Sequence, residues 1–158
     1  MLPSGEPRPG TVRRVDGVDD EATPWVQAAL EEARVARLGT VRADGTVGLV
    51  PCCFSVVDGW IGGAVDHKPK RHDRLQRLAD IEAAARATVL VDHYDEDWSR
   101  LWWVRVQGRA SVHEPHEAEA AAVVAALGWK YAQYRDRPPT GAVFRVAMDH
   151  VRAWRAMG

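Results

Sequence analysis

Two lysines and an arginine fall within four positions at Lys68-Pro69-Lys70-Arg71, directly after Asp66-His67 and the apolar run Trp60–Val65. A helical pattern over Arg71–Ile81 follows at once. An anionic group needs cations and backbone N–H donors converging on one point, and the opening turn of a helix supplies unpaired N–H groups. Strand, cationic turn and helix start therefore form the layout of a phosphate or carboxylate site, to which His67 can add a hydrogen bond. The alternative is a solvated basic turn, since Arg74 and Arg77 make the same helix basic further on. The glycine fingerprints GxGxxG and GxxxxGK[ST] are both absent, so the site is not of those nucleotide-binding types.

A second constellation is Trp98-Ser99-Arg100-Leu101-Trp102-Trp103-Val104-Arg105. Trp and Arg anchor interfaces, and Trp stacks on flat rings. On a strand, Trp103 and Arg105 share one face, and Trp102 and Val104 share the other. Ordinary core packing is the competing role for any single Trp. The run Asp92-His93-Tyr94-Asp95-Glu96-Asp97 holds carboxylates and a His, but it lacks EF-hand spacing and reads as a solvated acidic loop. GxSxG, HExxH and CxxC do not occur, and no Cys/His pair has recognisable catalytic spacing. If the chain is an enzyme, its chemistry belongs to a bound cofactor that the protein orients.

The elements that must position these groups follow from periodicity and turn residues. Thr23-Pro24 opens an amphipathic helix with Val26, Ala29, Leu30 and Ala33 on one stripe. Strands are expected over Val35–Arg42, Val47–Val57, Trp60–Val65, Ala87–Asp92, Leu101–Ser111 and a last strand or pair over Ala142–Val146 and Val151–Arg155. Ala43-Asp44-Gly45-Thr46 and Asp58-Gly59 are tight turns. Val47–Val57 is apolar on both faces, so it should be covered twice, by a barrel interior and by a partner or ligand. Pro51 within it marks an edge, bulge or break. Leu75, Leu78 and Ile81 stripe a short helix. Ala120, Val123, Val124 and Leu127 stripe another, which Pro115 opens and Gly128 closes. About six strands in meander order with short helices predict an α+β, mainly β fold, a small partly open barrel.

The 158 residues suit one domain over 21–158, preceded by a flexible tail over 1–20 that is rich in Pro, Gly, Arg and Asp. A net charge of -1 gives no bulk attraction to nucleic acid or acidic membranes. The apolar runs are too short for a membrane span or a signal peptide, and a cytoplasmic protein is expected. Cys52 and Cys53 are adjacent, point to opposite strand faces, and should be reduced and unlinked. Seven Trp against two Phe suggests that some Trp line a cleft or subunit seam.

The segments ARLGTVRADGTVGLVP (36–51), AVDHKPKR (64–71), VDHYDEDWSRLWWVR (91–105) and YAQYRDRPPTG (131–141) together resemble the pyridoxamine-phosphate-oxidase-like split β-barrel family, in its deazaflavin (coenzyme F420)-dependent branch. The resemblance spans roughly 35–154. It implies a homodimer with cofactor sites at the subunit interface, and hydride transfer from reduced F420 to a small, electron-poor organic acceptor. It implies that Lys68, Lys70 and Arg71 hold the cofactor phosphate. Leu49, Val50 and Pro51 would lie along the tricyclic ring, with Val65, Asp66 and His67 nearby. Trp98, Trp102, Trp103 and Arg105 would reach the site or line the seam, with Trp102 and Trp103 as a dry wall. His67 and Tyr94 are candidate proton donors, with water as the alternative; no catalytic residue and no metal site is assigned. FMN is the alternative cofactor, although flavin oxidases of the wider family tend to carry Gln near the position of Trp103. A non-catalytic flavin- or haem-binding module, with His67 or His93 as axial ligand, is the other class.

Overall fold

Alternation decides which side of each strand faces inward. The computed structural model describes residues 11–12, 23–65 and 71–157. Its elements are β1 (Thr11–Val12), α1 (Thr23–Glu32), β2 (Ala36–Val41), β3 (Val47–Cys52), β4 (Ser55–Val57), β5 (Trp60–Ala64), α2 (Arg71–Ala84), β6 (Arg86–His93), β7 (Trp102–His113), α3 (Ala118–Lys130), α4 (Ala132–Asp136), β8 (Val143–Ala147) and β9 (His150–Arg155). A 3-10 turn covers Trp98–Arg100.

The strands run in the order β3-β2-β6-β7-β8-β5-β4, all antiparallel, with β9 pairing β7 and β1. Ala36 and Leu38 of β2, Val89 and Val91 of β6, Val104 and Val106 of β7, and Val151 and Ala153 of β9 all point inward and are buried. Phe54, Ile61, Phe144 and Val146 complete this interior, and Leu30 of α1 and Ile81 of α2 close it. α3 and α4 cover the other side of β5 and β8 through Val123, Leu127, Tyr134 and Val143. The predicted split barrel is therefore present, mainly β with few helices.

Three boundaries depart from the sequence expectation. The strand expected over Val47–Val57 is two strands, because the chain leaves the β2 ladder at Cys53-Phe54 and re-pairs with β5. The backbone freed at this break is taken up by a side chain. Tyr131 Oη accepts from Phe54 N–H (3.1 Å) and lies within donating distance of Phe54 O (3.2 Å) and Arg34 O (2.9 Å). Pro51 is tolerated because, among the described residues, β3 pairs only with β2 and is an edge strand. α3 starts at Ala118 rather than at Pro115, and Gly128 lies inside it, with Tyr131 as the C-cap. Within the expected flexible tail, Thr11–Val12 pairs with Trp154 and Ala153.

β7 is the spine of the barrel. Its residues 102–107 pair with β9 and its residues 110–113 pair with β8. The sum of paired residue numbers shifts by one between the two ladders, so the β8–β9 stretch bulges at Met148-Asp149 opposite Gly108. Asp149 clamps the bulge: its Oδ2 accepts from Arg109 N–H (2.9 Å) and Nε–H (3.0 Å), and Oδ1 accepts from Nη2 (2.9 Å).

The Arg109 guanidinium, then its amide, holds the Asp149 carboxyl at about 2. The pKa falls on folding, so this contribution is complete above the ordinary carboxylate value of about 3.9. It is lost as the pH drops toward about 2. Asp149→Asn is expected to lower the melting temperature at neutral pH and to flatten its acid limb over that window. Parallel acid limbs for the two proteins would show that the clamp does not contribute.

Candidate functional site: the outer face of the sheet

Residues paired directly across antiparallel strands point to the same face. The register therefore builds one outward surface from β3, β2, β6, β7 and β9. One row runs Leu49, Gly39, Thr88, Gln107, His150, and the next runs Pro51, Arg37, Leu90, Arg105, Arg152. A third holds Asp92, Trp103 and Trp154. Aromatic and aliphatic groups thus sit among three arginines, on rigid strands.

Charge on this face is only partly matched. Arg37 Nη1 pairs with Asp92 Oδ1 at 2.8 Å. The Arg105 guanidinium lies over the Trp103 ring at 5.8 Å, and its buried Nε–H has no hydrogen-bond acceptor. A buried donor without a partner costs about 1–3 kcal/mol, so an acceptor placed here would be favoured. At the open edge, Leu49 is 67% and Val47 64% exposed.

The structure divides the sequence-predicted site residues. Leu49, Pro51, Trp103 and Arg105 share the outer face. Val50 pairs with Leu38 and packs on the core, on the opposite face from Leu49 and Pro51. Trp102 also turns inward, packing against the core and stacking on His93 with centroids 6.0 Å apart. Trp102 and Trp103 therefore do not form one wall. Their adjacency on a regular strand sends them to opposite faces. Trp98 is 70% exposed in the 3-10 turn, where Asp97 caps by accepting from Ser99 N–H (3.1 Å) and Oγ–H (2.7 Å). Val65 follows β5 and is pinned by its N–H to Ala142 O at 2.9 Å.

Asp66, His67, Lys68 and Lys70 lie outside the described residues. Arg71 is the first residue of α2, and its side chain also lies outside the description. α2 itself is fixed to β2 by a buried polar contact. Thr40 Oγ1 donates to Asp80 Oδ2 (3.2 Å), and Gln76 Nε2 donates to Asp80 Oδ1 (2.8 Å).

Arg37, Leu90 and Arg152 were not singled out by sequence patterning. Each is unremarkable in its own strand, and only the register brings it beside Arg105. Cys52 is half-buried, and desolvation pushes its thiol up to about 12, which disfavours the reactive thiolate; both cysteines are free. In the acidic loop, Asp95 pairs with Arg100 at 3.2 Å and lies 3.8 Å from His93 Nε2. No metal-binding group of three side chains converges there among the described residues. Tyr94 is exposed beside it. No helix among the described residues is long and apolar enough to cross a membrane.

Comparison with known proteins agrees with this architecture. A conserved hypothetical protein of Mycobacterium tuberculosis superposes with a TM-score of 0.67 at 21% identity, over 90% of this chain and 89% of that one. The haem storage protein of Vibrio cholerae gives 0.66 at 16% identity, over 85% and 95%. An FAD-binding protein of Mesorhizobium loti gives 0.58 at 18% identity, over 83% and 90%. At these identities the likeness establishes the fold alone. No protein of curated function matches the sequence. The family model for pyridoxamine 5'-phosphate oxidase matches residues 22–155, from the start of α1 to the end of β9, and the chain belongs to that family.

Proposed function

We propose that this chain is an oxidoreductase that uses reduced coenzyme F420 to reduce a small, electron-poor organic acceptor. The observation that carries the reading is the outer face, where Leu49, Pro51, Trp103 and the unpartnered Arg105 Nε–H share one rigid surface. A planar, carbonyl-bearing ring fits such a surface: apolar groups cover its faces, and a guanidinium meets its acceptor oxygen. When bound, the cofactor supplies the hydride.

The protein's own residues do the rest. Lys68, Lys70 and Arg71 would hold the phosphate as a cluster of cations. Leu49 and Pro51 would lie along the ring, and Val50 holds their strand to the core. Trp103, on the same face, would help to exclude water from the bound ring. A second copy of the chain covers Val47, Leu49 and Pro51 to form a homodimer; an exposed apolar edge strand is otherwise an aggregation hazard.

A haem-binding module is the second reading, supported by His93, which is half-exposed and stacked on Trp102. Titration of the purified protein with F420 and FMN, followed by cofactor fluorescence, separates these readings. Saturable micromolar binding of F420 with weaker FMN binding is expected. A Soret band on adding haem, with neither flavin-type cofactor bound, would replace the oxidoreductase reading with the haem module.

A further inference from the structure

A cavity of about 810 Å³ opens between α1, α3 and the β4–β5 turn, and it shares no lining residue with the outer sheet face. Its size lies within the roughly 300–1,000 Å³ of small-molecule sites. Its apolar lining includes Val26, Leu30, Val56, Ala126, Met148 and Val151.

Two polar groups in the lining need a ligand for different reasons. Ser55 is only 3% exposed, and its Oγ has no hydrogen-bond partner. A buried hydroxyl in that state is an unmet demand for a donor or acceptor. Lys130 Nζ donates to Leu30 O at 2.8 Å and sits 3.6 Å above the Phe54 ring. That leaves two of its three N–H donors without a partner among the hydrogen bonds described. Burial, and then the nearby Arg34, depress the Lys130 ammonium to about 8. Both groups flank Phe54, Ser55 as its chain neighbour and Lys130 over its ring. Of the two carboxylates that also line the cavity, Glu31 accepts from Gln27 Nε2 at 3.0 Å, and Asp58 lies in the β4–β5 turn.

We propose that this cavity is a binding site for an amphipathic carboxylate. Its hydrocarbon body lies against Val26, Leu30, Val56, Met148 and Val151, and its carboxylate meets Lys130 and Ser55. An anion here adds a direct hydrogen-bonded counter-charge to the partly desolvated ammonium, on which Glu31 acts only through its charge, and gives the orphaned hydroxyl an acceptor. The site is independent of the cofactor reading, because none of the residues assigned to the cofactor lines it.

Calorimetric titration of the full chain with decanoate and with decanol tests the site. Decanoate is expected to bind at least tenfold more tightly than decanol. Ala126→Phe, which fills the cavity from α3, is expected to weaken decanoate at least tenfold while circular dichroism and F420 affinity stay unchanged. Lys130→Met is expected to abolish the preference for decanoate over decanol. The proposal is overturned if decanoate does not bind the wild-type chain, if decanol binds as tightly, or if folded Ala126→Phe binds decanoate with wild-type affinity.

Discussion

Gly108→Ala is expected to destabilise the protein by about 3 kcal/mol or more, because the added methyl has no room and its neighbours cannot move away. A Cβ at Gly108 would lie 2.0 Å from the Ala147 carbonyl oxygen and 2.9 Å from its carbon. It would also meet the Asp149 carboxylate at 2.9 Å. Backbone is the obstacle, and that backbone is the bulge where β8 passes into β9. Relief means opening the β7–β9 ladder or the Asp149–Arg109 clamp. For a chain of this size the loss corresponds to a fall of roughly 6–12 °C in melting temperature. Gly39→Ala is the control. Its Cβ meets nothing closer than Thr88 O at 3.6 Å, so it should leave stability nearly unchanged. Equal melting temperatures for Gly108→Ala and wild type would mean that the bulge relaxes freely.

Lys68→Ala combined with Arg71→Ala is expected to weaken cofactor affinity by several kcal/mol, a factor of about 100 or more, with the melting temperature unchanged. A phosphate held by several cations and helix N–H groups loses charge-assisted hydrogen bonds when two of the cations go. Of the three cations only Lys70 is then left. The loss should shrink as salt is raised, because screening already weakens the wild-type interaction. Cofactor titration of both proteins at two ionic strengths provides the check. Wild-type affinity in the double variant would remove the phosphate from these cations and leave only the outer face as a cofactor contact.

Much of the barrel is legible in the sequence. The Asp58-Gly59 turn requires positive φ at both positions, and Asp58 and Gly59 have φ of 48° and 79°. The stripe Val26, Leu30 put α1 on the core, and the strands expected over Ala87–Asp92 and Leu101–Ser111 fall where β6 and β7 form. The break at Cys53-Phe54 was not legible. It depends on the Tyr131 hydroxyl, which lies 77 residues away in sequence from Phe54. An unbroken apolar run gives no local sign that its backbone will find a side-chain partner.

The candidate site divides the same way. Sequence alone determined the antiparallel barrel class, the clustering of cations among Lys68, Lys70 and Arg71, and the separation of Trp103 from Val104 by strand period. Those features depend on neighbours a few positions apart, through turn geometry, charge density and the two-residue repeat of a strand. Only the tertiary structure decided that Trp102 faces the core while Trp103 faces out, and that Arg37, Leu90 and Arg152 stand beside Arg105. Inward and outward are fixed by which strands pair and in which register. That register is set by distant partners such as Gly108 with the Ala147–Asp149 bulge, which no local pattern encodes.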